Sequence, residues 1–101
     1  MQERNGKPPE NERPLDTASL LDFPTQFPIK IMGRREGGFT SAVIEIVQRH
    51  APDFAPGTIE TRPSREGKYL SITATVNATS QQQLDALYRD LCDHPSVVMV
   101  L

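Results

Sequence analysis

A chain of 101 residues with a formal net charge of −2, one cysteine and no tryptophan is bounded tightly before any motif is read. The length supports one small domain. The charge argues against a nucleic-acid backbone as partner, which calls for a basic surface, and the few aromatics argue against base stacking. The single Cys92 rules out an internal disulfide and fits a cytoplasmic setting, and no apolar run is long enough to span a bilayer.

Residues 1–16 are rich in charge, Pro, Asn and Gly, and their only large apolar residues are Met1 and Leu15. Such a composition cannot offset its ordering entropy. It also lacks a signal peptide's apolar stretch. Residues 1–19 are therefore expected to be a disordered tail and residues 20–101 a single domain. Ser19 to Pro24 reads as a short turn whose Leu and Phe side chains pack on the domain edge.

From Gln26 to Arg34, Phe27, Ile29 and Ile31 alternate with Pro28, Lys30 and Met32, which predicts a strand. Pro28 cannot donate to a ladder, so it belongs at the strand's start or at an irregular spot. Gly33 to Gly38 is a loop by composition. Phe39, Val43, Ile46, Val47 and His50 then share one face of a helix from about Gly38 to His50, which Pro52 stops. Thr58 to Pro63 is a weaker strand whose Pro63 suggests a sheet edge.

Lys68 to Asn77 alternates cleanly. Leu70, Ile72, Ala74 and Val76 face a core, and Ser71, Thr73, Thr75 and Asn77 face water or a partner. A second helix opens at Thr79-Ser80 with capping-box spacing to Gln83, and Leu84, Leu87, Tyr88 and Leu91 form its stripe. Val97 to Leu101 is a last strand, apolar on both faces, with no charge, proline or bulge signal to protect it. Strand, helix, strand, strand, helix, strand with right-handed crossovers predicts an α+β, ferredoxin-like βαββαβ sandwich. Its antiparallel sheet has order 4-1-3-2, with both helices on one face.

Chemistry is sparse. His50 and His94 stand at helix ends, where they cap and oppose the macrodipole, and no cluster with ligand spacing accompanies them. Cys92 has no base partner and is expected to be a buried or half-buried structural thiol. Gly33, Arg34, Arg35, Gly37, Gly38 and Phe39 form the candidate ligand site. Glycines allow close backbone approach, the helix N-terminus accepts an anion, and the arginines add charge; the other reading is a flexible connector with solvated charges. No catalytic residue, metal ligand or cofactor motif is recognisable.

Four stretches resemble the YbeD-like family of small bacterial proteins of unknown function. They are Leu21-Asp22-Phe23-Pro24-Thr25 with Phe27; Lys30-Ile31-Met32-Gly33; Val47-Gln48-Arg49-His50-Ala51-Pro52; and Asn77-Ala78-Thr79 through Leu87-Tyr88 to Val98-Met99-Val100-Leu101. The resemblance implies a ferredoxin-like fold similar to ACT domains, and no catalytic residues. It also implies a link to lipoate or amino-acid metabolism, and a ligand loop at Gly33 to Phe39. The acidic residue and Pro-Gly pair common in that ACT loop are missing here.

Two functions follow as expectations. One is a non-enzymatic regulatory or protein-interaction module that pairs as a homodimer through Val97, Val98, Met99, Val100 and Leu101 or through the open sheet face. The other is a small-ligand sensor for an amino acid or carboxylate.

Overall fold

The computed structural model describes residues 22–101; the expected tail of residues 1–19 and the Leu20 and Leu21 side chains of the predicted turn lie outside them. The elements are β1 (Thr25–Arg34), α1 (Phe39–His50), β2 (Glu60–Pro63), β3 (Tyr69–Ala78), α2 (Gln81–Asp93) and β4 (Val97–Val100). They form one antiparallel sheet in the order β2-β3-β1-β4, which is the predicted order.

The core lies between the sheet and the two helices. Ile29 and Ile31 of β1, with Ile72, Ala74, Val76 and Ala78 of β3, meet Phe39, Val43, Ile46 and Val47 of α1 and Leu84, Leu87 and Leu91 of α2. A period of two on the strands and of 3.6 on the helices brings these side chains to one layer. Ala51 and Phe54, just beyond α1, are buried with them, two core residues that periodicity does not reveal. The Phe54 carbonyl accepts a bond from Gln48 Nε2 at 3.3 Å, which holds the loop against the helix.

Three details depart from the sequence reading. β2 begins at Glu60 rather than Thr58, because Pro56–Thr58 forms a 3₁₀ turn in which the Thr58 hydroxyl donates to the Ala55 carbonyl at 2.6 Å. Pro28 stands well inside β1, opposite Thr75. The Lys30 N–H, on the same side of the strand, bonds the Leu101 carbonyl at 3.2 Å. Two residues earlier β4 no longer runs alongside, so Pro28 leaves no ladder bond unmade. Finally, β4 contains a bulge: Met32 pairs with Met99 and Gly33 with Val97, so Val98 is the extra residue.

The helix ends are tied together. Ser80 Oγ accepts from the Gln83 N–H at 3.0 Å, and Gln83 Oε1 accepts from the Thr79 N–H at 2.6 Å. Gln83 Nε2 also donates to the His50 carbonyl at 2.9 Å. One glutamine thus caps the start of α2 and the end of α1.

Candidate functional site

The two ends of the Gly33–Phe39 loop are closed against the protein's own groups, and the residues between them are exposed. Gly33 is buried, and a Cβ there would lie within 2.5 Å of both the Phe39 ring and the Ser96 carbonyl. Phe39 itself is a core residue. The glycine and the phenylalanine side chain therefore serve packing.

The Arg34 N–H donates to the Ser96 carbonyl and the Arg35 N–H to the Lys68 carbonyl, both at 2.9 Å, and the Phe39 N–H donates to the Glu36 carbonyl at 3.1 Å. The Ser96 hydroxyl donates to Glu36 Oε1 at 2.8 Å. Gly38 holds φ = 86°, the left-handed conformation that favours glycine, as it turns the chain into α1. Arg34, Arg35, Gly37 and Gly38 remain exposed.

The helix-free face of the sheet offers more. Cross-strand pairing sets Lys30, Thr73 and Glu60 in one row and Met99, Met32, Ser71 and Arg62 in the next. Over these rows lie two adjoining clefts. The larger, about 310 Å³, is lined by Lys30, Glu60, Thr61, Arg62, Ser71 and Thr73. The smaller, about 160 Å³, adds Met32, Pro63, Ser64, Tyr69 and Leu70 and shares Lys30, Arg62 and Ser71 with its neighbour.

Ser71 Oγ is enclosed and has no hydrogen-bond partner among the described residues. The strands and loops carry Lys30, Arg34, Arg35, Arg62, Arg65 and Lys68 against Asp22, Glu36, Asp53, Glu60 and Glu66, whereas the helices carry Arg49 and Arg89 against Glu45, Asp85, Asp90 and Asp93. The strands and loops are thus close to balanced in charge and the helices net acidic. Sequence reasoning missed this site because its residues come from three strands. The available signal was the polar alternation of β3, shared by Lys30 on β1.

The β4 edge is apolar. Val98, Met99 and Leu101 are 54%, 46% and 64% exposed, and Val97 and Val100 pack partly against the core. β4 ends the sheet on this side.

The titratable groups that converge do so at the helix ends. His50 Nε2 lies 2.6 Å from Asp90 Oδ2, and Arg49 Nη1 donates to the same oxygen at 3.2 Å. The hydrogen bond from His50 is the largest influence on the Asp90 carboxyl; burial opposes it, and with the weaker bond from Arg49 the carboxyl is held below its ordinary value. His94 Nδ1 accepts from the Ser96 N–H at 3.1 Å. Burial, then the neighbouring Cys92, pushes the Tyr88 phenol up. Cys92 is exposed, not buried or half-buried as expected, because it lies one position past the Leu91 stripe and so points off the core face. Among the described residues no group of three or more His, Cys, Asp or Glu is placed to hold a metal ion, and no helix is long and apolar enough to cross a membrane.

The family described as "Protein of unknown function (DUF493)" matches residues 18–101. A UPF0250 protein of Nitrosomonas europaea is 55% identical over 83 residues, covering 82% of this chain and 95% of its own. One from Leptothrix cholodnii is 54% identical, with 82% and 91% covered. Among solved structures, the ACT domain from the GTP pyrophosphokinase of Chlorobium tepidum superposes with a TM-score of 0.60 at 18% identity, covering 76% of this chain and 97% of that domain. A protein of H. pylori superposes with a TM-score of 0.70 at 13% identity, covering 97% and 98%. At such identities these likenesses speak for the fold.

Proposed function

The chain belongs to the DUF493 (UPF0250, YbeD-like) family, and from that premise we propose that it is a non-enzymatic regulatory module that acts by pairing with a second copy of itself. The observation that carries this reading is the β4 edge. It is the end strand of the sheet, it carries no charge, and it exposes Val98, Met99 and Leu101. Unpaired strand edges with apolar side chains are sites of association unless something covers them. A two-fold axis would place the same strip against itself, so one patch serves both subunits. The bulge at Val98 shortens any continuous ladder, and side-chain burial carries more of such a contact than backbone pairing.

Sedimentation at tens of micromolar tests the proposal. The intact chain is expected to run as a dimer and Val98→Lys as a monomer. An intact chain that sediments as a monomer overturns it.

A further inference from the structure

We infer that the helix-free face of the sheet carries a binding site for a small carboxylate with a short apolar side chain, centred on Lys30, Arg62 and Ser71. These three residues line both clefts and so form the seam between them. On one side of the seam the walls are polar: Glu60, Thr61 and Thr73. On the other they are Met32, Pro63, Tyr69 and Leu70 with one small polar residue, Ser64. A ligand that spans the seam therefore has a charged centre and an apolar extension.

The sign of the centre follows from the seam. A lysine and an arginine flank it, and neither forms an ion pair within 4.0 Å with an acid among the described residues. Guanidinium matches a carboxylate with two parallel hydrogen bonds, and lysine adds a point charge. Ser71 Oγ supplies the independent observation. It is enclosed on the polar face of β3 without a partner in the protein, and an enclosed polar group left unpaired is destabilising. Because the oxygen is enclosed, a carboxylate at the seam accepts its proton only once the neighbouring side chains shift aside.

Glu60 sets the charge of the ligand. Its carboxylate lines the same cleft and opposes a multiply charged anion such as phosphate, so the cleft selects a monoanion. Glu60 also accepts hydrogen bonds, so an amino group next to the carboxylate would face it. The shared chemistry is thus a monocarboxylate with an apolar chain of a few carbons, with or without an α-amino group. The size agrees, since the main cleft of about 310 Å³ is at the small end of ligand pockets. The site uses β1, β3 and β2 and not β4, so it stands or falls separately from self-pairing.

The test is an amide-shift titration of the full chain with butyrate, valine, butylammonium and inorganic phosphate. Butyrate or valine is expected to shift the amides of Lys30, Arg62, Ser71 and Thr73. Tighter binding of valine assigns an amino group to Glu60; tighter binding of butyrate assigns a plain carboxylate. Arg62→Gln is expected to weaken binding by about tenfold, the scale of one charge-assisted hydrogen bond. It should fold normally, since Arg62 is exposed on an edge strand. Lys30→Gln is a second exposed variant with an effect in the same direction. Three outcomes overturn the inference: equal shifts with butylammonium or phosphate, shifts centred on Gly33 to Phe39 instead, or binding that Arg62→Gln leaves unchanged.

Discussion

The two edges of this sheet handle the same hazard differently. β2 is short, wholly exposed and made of Glu60, Thr61, Arg62 and Pro63. Its charges discourage a neighbouring strand, and its proline removes a donor. β4 is equally short but consists of Val97, Val98, Met99 and Val100, and its one irregularity is the bulge at Val98. One edge is guarded by charge and proline; among the described residues, the other is guarded only by a bulge. The difference teaches where contact with another molecule is disfavoured by side-chain chemistry and where it is not.

Four changes would break or sharpen that contrast. The largest effect is expected from Leu87→Ala. Leu87 is fully buried, and α2 packs against both β4 and β3. Truncation of a buried leucine costs about 2–5 kcal/mol, and here it should lower the denaturation midpoint while loosening both edges together. A loss under ~0.5 kcal/mol, no more than an ordinary surface change, would mean the edges do not share one core.

Gly33→Ala should act mainly on the β4 side. The added methyl group would meet the Phe39 ring and the Ser96 carbonyl, and overpacking of this kind costs about 1–3 kcal/mol. Hydrogen exchange should quicken at the Arg34 and Leu101 amides, which bond to Ser96 and Lys30 across the β1–β4 junction. Faster exchange throughout β3 instead would show that the strain is not local to β4.

A subtler change converts one edge into the other. Replacing Glu60 and Arg62 with valine should leave stability within about 0.5 kcal/mol, as exposed substitutions usually do, yet raise the sedimentation coefficient at high concentration. If self-association stays the same, charge is not what protects β2.

The smallest effect concerns neither edge and serves as a control. Asp90 has a carboxyl depressed by its bonds from His50 and Arg49. A carboxyl lowered in the folded state stabilises the fold above its unfolded pKa, about 3.9 for aspartate, and that stabilisation fades as pH falls through the folded value. Asp90→Asn should therefore flatten the acid limb of the stability profile. An unaltered acid limb would assign the clamp no role in acid stability. Neither edge should respond, because the clamp joins the helix ends.

Much of the fold was legible along the chain. The alternation in Leu70, Ile72, Ala74 and Val76 marks β3, and the Leu84, Leu87 and Leu91 spacing marks α2, because each pattern repeats between close neighbours in sequence. Ser80 and Gln83 announced their cap for the same reason. The candidate site was less legible. Gly33 looks like a point of backbone approach for a ligand, and the approach is real, but the Phe39 ring and Ser96 take it up. The Ser96 contact joins β1 to the start of β4, across a separation that local pattern does not span.

The sequence by itself determined the elements, their faces and, through the handedness of crossovers, the order of the strands. Periodicity and turn chemistry are properties of neighbouring residues, and crossover handedness follows from strand twist. Only the tertiary structure decided which side chains share a row. Register sets Lys30 beside Thr73 and Ser71 beside Arg62, and a slip of one residue would have sent each to the opposite face. The bulge at Val98, the enclosed Ser71 hydroxyl and the seam of two cations all arise from that register, because they depend on how separate strands align.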